Sequence, residues 1–457
     1  MKREEKNMSA QPLEEIAEIL LGAAKRHGAT AADVVVAEGD SLEVGVRFGE
    51  IEKLKQARQK HLGLRVLIGA RSAVTSSADF SRESLEKLAE DSCALARVIA
   101  PDPFAGLPDP AELATQIPEL DLYDPDVAAV TAERAIEWAK EAEHAALEAD
   151  KRITNSEGAE VGASTDHVLY ASSLGFRGDY RNSGVSLSVV PVASENGSMQ
   201  RDFWYSSQRK LAQLEAPAAI GRKAAERTLR RLNARQVSTC EVPVIFDPEM
   251  ASGLIRHLAG AVSGYALYKG TSFLIGKLGQ RIAPESVTVI DDGTRRGGLG
   301  SKPFDGEGLP TRRTVVVDRG VLTNYLFDSY SARKLQSRST GNAARSVGSA
   351  PGVAPTNLYL EAGSASPQEI IRSVPRGLYV TELIGFGVNP VTGDYSRGAV
   401  GQWIEHGEIA YPVEEITIAG NLLAMYDAIE VIGNDLNFRH SVVAPTIKIA
   451  RMTVAGS

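Results

Sequence analysis

Residues Val380–Leu422 read VTELIGFGVNPVTGDYSRGAVGQWIEHGEIAYPVEEITIAGNL. Glycines punctuate the run, and its last part, EEITIAG, has the look of a short strand. At its centre Gly393-Asp394 favours a tight turn, because glycine tolerates positive φ and aspartate bonds its own backbone. Beside that turn Arg397 is expected to meet a carboxylate. The same texture begins at Val242 and continues through VPVIFDP, SVTVIDDG, RTVVVDRGVLTNYLF and PTNLYLEAG. In DRGVLTNYL, Gly320 after Arg319 permits a hairpin turn. Only helices near 249–268, 367–373 and 421–428 interrupt these strands. The C-terminal part is therefore expected to be mostly antiparallel β structure.

Upstream the pattern changes. Pro12–His27 places Leu13, Ile16, Ala17, Leu20 and Ala24 on one helical face, with Gly28 where a cap belongs. Three or four glycine-punctuated strands follow, then a second helix within SRESLEKLAEDSCALARVIA. The segment PDPFAGLPDPAELATQIPELDLYDPD reads as a linker or an extended crossing. Beyond it come a helix at about 131–149 with Thr131 as its N-cap, further strands, and a helix in APAAIGRKAAERTLRRLNA. The fold class expected is α+β: two small N-terminal α/β units, 1–105 and 106–236, then a large, mostly antiparallel β domain over 237–457.

The bulk properties bound the function. The chain has 457 residues, 43% hydrophobic and 24% charged, ordinary for a globular protein of two or three domains. A formal charge of -8 gives no reason to expect direct nucleic-acid binding. The start, MKREEKNMSAQPLEE, lacks an apolar signal core, and Met8 is read as an alternative start. No apolar run is long enough to span a membrane. Cys93 and Cys240 lie far apart and suit free thiols, so a cytoplasmic setting is expected.

Direct searches for chemistry exclude more than they find. The histidines His27, His61, His144, His167, His257, His406 and His440 do not pair at the spacing of an H-E-x-x-H helix. After His257 come Leu258, Ala259, Gly260 and Ala261, which supply neither base nor second ligand. No G-x-S-x-G turn or complete phosphate loop is present. The loop Asp291–Gly308 reads as a surface or interface segment. In Tyr330–Gly348, Thr340, Gly341, Asn342 and Arg345 form either a loop capping the β domain or a polar clamp on an extended peptide. Gly393, Asp394 and Arg397 carry the same two readings, and a free sheet edge would bind such a peptide by strand addition.

KGTSFL, STGN, the run Val380–Leu422 and VIGNDL together resemble the TldD/PmbA family, also called the modulator of DNA gyrase family, and are most similar to its PmbA/TldE branch. The resemblance implies a protease system. Its TldD-type subunit carries zinc on an H-E-x-x-x-H helix with a late cysteine, and pairs with a TldE-type subunit to process unfolded or extended peptides. Matching by the KGTS turn places the ligand positions at Ile255, Arg256 and Gly260; counting from His257 reaches Val262 instead. No cysteine follows Cys240. The resemblance thus implies a subunit without catalytic or metal residues of its own, with zinc in a TldD-type partner. That partner forms a heterodimer with this chain, and a homodimer is the alternative for the isolated protein. Lys269 of the KGTS turn joins the substrate or interface candidates. Two other functions remain open: a stand-alone metallohydrolase using Asp291, Asp292 or Asp394, and a regulatory protein acting on gyrase or a toxin–antitoxin pair.

Overall fold

A computed structural model of the protein describes residues 12–456; Met8 and the charged leader lie outside the described residues. In chain order the N-terminal part comprises α1 (Leu13–Arg26), β1 (Ala31–Arg47), β2 (Glu50–Ile68), β3 (Arg71–Ser77) and α2 (Arg82–Val98). It continues with α3 (Pro125–Ala128), α4 (Ala132–Leu147), β4 (Ile153–Ser172), β5 (Arg177–Glu195), β6 (Ser198–Arg201), β7 (Trp204–Gln208) and α5 (Pro217–Leu229). The apolar stripe expected of α1 is the face it buries, and Gly28 follows it at φ 91°. Thr131 caps α4 by accepting from Arg134 N at 3.3 Å.

The two N-terminal units are halves of one sheet. Its strand order is β3-β2-β1-β4-β5-β6, with β7 also paired to β5. The β1–β4 ladder runs from Asp33↔Ser172 to Val46↔Ala159 and crosses the border placed at 105/106. Alternation then decides what covers each face. Val34, Val36, Leu62 and Leu64 point to α1 and α2. Val44, Val46, Val161 and Leu187 sit further along the same face and meet α4 and α5. On the opposite face Val35, Tyr170 and Phe176 pack with Phe304 of the C-terminal domain.

That domain contains β8 (Cys240–Phe246), α6 (Pro248–Ala261), α7 (Gly264–Lys269), β9 (Val289–Asp292), β10 (Arg313–Asp318), β11 (Val321–Leu322) and α8 (Ser329–Lys334). Next come β12 (Ala343–Ala344), β13 (Gly352–Val353), β14 (Leu358–Leu360), α9 (Pro367–Arg372), β15 (Arg376–Ile384) and β16 (Asp394–Glu405). The chain ends with β17 (Glu408–Asn421), α10 (Leu422–Asp427), β18 (Ile429–Ile432), β19 (Val442–Val443) and β20 (Ile447–Ala455). One sheet has the order β17-β16-β15-β8-β20-β18, and pairing of β17 with β20 closes it into a barrel. A second sheet has the order β11-β10-β9-β14-β19. The Val380–Leu422 run supplies most of the β15–β16–β17 meander.

The helix expected over 249–268 is broken in two. Ser263 is extended and bridges Leu326, and Gly264 N donates to Leu326 O at 2.7 Å. A Cβ at Gly264 would lie 2.5 Å from both Phe327 and Ser331 side-chain atoms, so the close crossing requires glycine. The proline-rich crossing binds the C-terminal domain: Arg333 donates to the carbonyls of Phe104, Gly106 and Leu107.

Candidate functional site

Helix α6 begins with Asp247 as N-cap, accepting from Met250 N at 2.9 Å, and with Pro248 in its first turn. Leu254, Ile255 and Leu258 are buried in the C-terminal core. Arg256 and Gly260 face outward, and a Cβ built at Gly260 or Gly253 meets no atom within 4 Å. His257 is half-buried, its ring edge-on to Tyr395 with centroids 6.2 Å apart. Burial, then the charges of Arg397 and Arg256, lower its pKa.

These residues do not fit zinc. A catalytic zinc takes about three nitrogen, sulfur or carboxylate ligands at roughly 2.0–2.3 Å. At the matched positions Ile255 is 2% exposed and points into the core, Arg256 is cationic, and Gly260 has no side chain. In the other register Leu258 and Val262 are core residues. Among the described residues no group of three or more His, Cys, Asp or Glu side chains is placed to hold a metal ion.

Of the two readings of 340–345, burial of Asn342 and Arg345 favours the loop that caps the β domain over the polar clamp. Asn342 is 3% exposed; its Nδ2 donates to Asp291 Oδ2 at 2.6 Å and its Oδ1 accepts from Thr340 at 2.7 Å. Gly341 sits at φ 75° against Pro310, where only glycine fits without strain. The Arg345 side chain is 1% exposed. It donates from Nη1 to Asp33 Oδ1 at 2.5 Å and from Nε to Ser349 O at 3.0 Å. Arg65 holds the other oxygen of Asp33, with Nε at 3.0 Å. Asn342 and Arg345 thus have internal partners: one braces β9, the other locks the C-terminal domain to the N-terminal sheet. Thr340 is half-buried at the edge of a groove of about 590 Å³ that also contains Tyr325, Arg312 and Arg338.

In the second cluster Asp394 is exposed, Arg397 half-buried and Gly393 buried. Gly393 takes φ 81° at the tip between β15 and β16, and Asp394 accepts from Thr392 Oγ1 at 2.6 Å. The tip rests on the KGTS turn, with Phe273 N donating to Pro390 O at 3.0 Å. Arg397 does not meet the carboxylate expected for it; Nε and Nη2 donate to the carbonyls of Ile384 and Leu383 at 3.3 Å. Lys269 lies over the rings of Tyr265 and Tyr268, 5.9 and 5.7 Å from their centroids. The same hairpin projects a fully exposed Phe386 beside half-exposed Ile384 and Val391. Helix α6 meets the KGTS turn where Ser272 Oγ donates to Ala261 O at 2.6 Å, and meets the strand after the hairpin tip where His257 is edge-on to Tyr395.

The carboxylates considered for a stand-alone hydrolase have internal roles. Burial raises the Asp291 pKa to about 6 against the hydrogen bonds from Asn342 and Thr356. Asp292 accepts from Thr294 N and Oγ1, and Asp394 holds the hairpin tip. Sequence reasoning missed a cleft of about 510 Å³ between the N-terminal sheet and the C-terminal domain, bordered by Tyr265, Tyr268, Tyr330, Asp102 and Glu307. The i, i+3 spacing of Tyr265 and Tyr268 was its one local signal.

Three family models match in order: PmbA/TldA metallopeptidase domain 1 at residues 32–96, the central domain at 125–232 and the C-terminal domain at 239–456. The chain is 40% identical to "Metalloprotease PmbA" of Escherichia coli O157:H7, covering 93% of this chain and 92% of that protein. It is 36% identical to "Metalloprotease PmbA homolog" of Haemophilus influenzae, covering 98% and 97%. A crystal structure from Bacteroides thetaiotaomicron, described as "a putative modulator of DNA gyrase", superposes with a TM-score of 0.91 at 29% identity, covering 97% of this chain and 99% of that one. TldE from Thermococcus kodakarensis shares the fold, with a TM-score of 0.86 at 23% identity and coverage of 96% and 100%. With three domain models matching in order and a 40%-identical relative matched along nearly its whole length, this chain belongs to the PmbA/TldD metallopeptidase family.

Proposed function

We propose that this chain is the subunit without a catalytic metal in a two-subunit peptidase of its family. It pairs with a zinc-bearing TldD-type chain and completes the path followed by an extended peptide. The observation that supports this reading best is the α6 face: an inward Ile255, an outward Arg256 and a side-chain-free Gly260 stand where the partner would place its ligands. Arg256 and Arg397 add positive charge around His257, unfavourable for a divalent cation. The adjoining Ile384, Phe386 and Val391 give the hairpin an apolar tip suited to a partner chain, or to a second copy when the protein is alone.

Among the described residues no helix is long and apolar enough to cross a membrane, and a cytoplasmic setting is proposed. The gyrase wording attached to solved relatives is read as an indirect effect of peptide turnover, since a charge of -8 provides no general attraction for DNA. The test is co-purification with the TldD-type chain, metal analysis of each subunit, and cleavage of an unstructured peptide by each alone and by the mixture. Cleavage that requires both, with zinc only in the partner, is expected. Stoichiometric zinc in this chain, or full activity of the partner alone, would overturn the proposal.

A further inference from the structure

The groove of about 590 Å³ beside Thr340 is bounded by α7, the 275–278 turn, the chain after β11 and the end of α8. Phe327 in its lining is buried, and Tyr325 is half-buried with its hydroxyl donated to Leu274 O at 2.6 Å. Ile275, Leu278 and Leu335 border the same space and are 48%, 52% and 37% exposed. Single exposed aliphatic side chains are ordinary, but three around one concavity of ligand-site size leave apolar surface for something to cover.

The charges of the groove are of one sign. Arg312 and Arg338 line it, and no aspartate or glutamate does. Both arginines are exposed, and neither side chain has an ion pair or a hydrogen bond among the described residues. Nearby exposed arginines differ: Arg313 lies 3.7 Å from Glu361, and Arg319 lies 3.6 Å from Glu285. Other polar side chains of the wall are engaged by the fold. Thr323 and Asn324 donate to Val315 O at 2.9 and 2.8 Å, and Ser339 donates to Phe327 O at 3.2 Å. In a chain with a formal charge of -8, an acid-free groove with two unmatched cations is a local reversal of sign. The main chain of Arg338 is also without a hydrogen bond among the described residues.

We propose that this groove docks an extended acidic segment of a polypeptide, its carboxylates meeting Arg312 and Arg338 and its aliphatic side chains covering Ile275, Leu278 and Leu335. A guanidinium presents two parallel N–H donors, the complement of a carboxylate's two oxygens. Covering the aliphatic side chains adds a hydrophobic contribution that carboxylates alone would not supply. The open N–H and carbonyl of Arg338 match a peptide main chain, which favours a polypeptide over the anion of a fatty acid. The groove would take such a segment with or without a zinc-bearing partner, so its test is separate from that of the subunit role.

The test is calorimetric titration of the full chain with acetyl-Glu-Leu-Ala-Leu-Glu amide, its glutamine and lysine counterparts, and dodecanoate. The glutamate peptide is expected to bind about tenfold more tightly than the glutamine peptide, and the lysine peptide more weakly than either. High salt should shrink that preference, because both arginines are exposed. Arg312→Gln and Arg338→Gln should each weaken binding of the glutamate peptide about threefold, and the double variant should lose the preference for it. Leu278→Ser should weaken the glutamate and glutamine peptides alike, about threefold. The reversed pair Arg312→Glu and Arg338→Glu should select the lysine peptide instead. All these side chains are exposed, so the urea midpoints should stay at the wild-type value. No binding of the glutamate peptide, equal binding of its glutamine counterpart, tighter binding of dodecanoate, or an unchanged preference in the double glutamine variant would each overturn the site. A lowered midpoint in that variant would do so too, since the arginines would then be structural.

Discussion

The decisive perturbation for the 340–345 loop is Arg345→Met, which keeps length and apolar stem but removes the guanidinium. Asp33 is fully buried between Arg65 and Arg345 and also accepts from Tyr170 OH at 3.2 Å. Removing one member of a buried ionic network costs about 3–5 kcal/mol, because a partner keeps its charge without compensation. Here Arg65 still faces Asp33, so about 3 kcal/mol is expected. Burial alone would raise the Asp33 carboxyl, but the two guanidinia outweigh it and hold the pKa below its ordinary value. A depressed folded pKa means that this stabilisation is present above the unfolded value of about 3.9 and is lost as pH falls through the folded pKa. The gap between wild type and Arg345→Met should therefore be full at pH 7 and shrink below about pH 4. Urea unfolding followed by tryptophan fluorescence measures the gap, and cleavage by the reconstituted pair measures function under conditions where the variant is folded. A large loss of stability with normal cleavage is expected. Unchanged stability with abolished cleavage would refute the buried-lock reasoning and restore the peptide clamp.

Gly341→Ala should destabilise by about 2 kcal/mol in the same unfolding assay, because a Cβ would lie 2.4 Å from Pro310 O at φ 75°. An unchanged midpoint would mean that the loop can move aside. Phe386→Ser should leave stability within about 0.5 kcal/mol yet weaken pairing with a TldD-type chain about tenfold by analytical ultracentrifugation, since the ring is fully exposed in the single chain. Undiminished pairing would remove this hairpin from the interface. Burial raises Asp291 to about 6, so the folded chain keeps a proton that the unfolded chain loses above about pH 3.9. Its contribution to stability therefore declines as pH rises from about 4 to 6, and Asp291→Asn should flatten that part of the profile. An unaltered slope would sink that account.

The locally determined features were legible in the sequence. The stripe of α1, the Thr131 cap and the turn at Arg319 and Gly320 depend on neighbours a few residues away, and each stands where the pattern placed it. The β texture after Val242 was legible for the same reason. Closure of the barrel was not, because β17 and β20 meet over a short ladder that joins Thr417 to Ala455 and Ala419 to Thr453. Periodicity within either strand does not reveal which distant strand it will pair with. The break between α6 and α7 depends on Leu326, a residue with no sequence proximity to it. The buried ion pair of Arg345 is not legible in the sequence, because arginine is ordinarily exposed. Its partner Asp33 is separated from it by 312 positions, and spacing alone does not connect them.

The shared N-terminal sheet has a consequence for how the molecule is made. As the chain emerges from synthesis, β1 can pair with β2, but its other edge stays open until β4 has appeared. A nascent chain halted near residue 105 therefore displays an unpaired strand edge to its neighbours. Asp33 waits longer still, with its charge answered only by Arg65 until Arg345 arrives. Emergence of β4 ends the exposure of the edge, and release of the C-terminal domain then balances the charge beneath it. The last domain made completes the first.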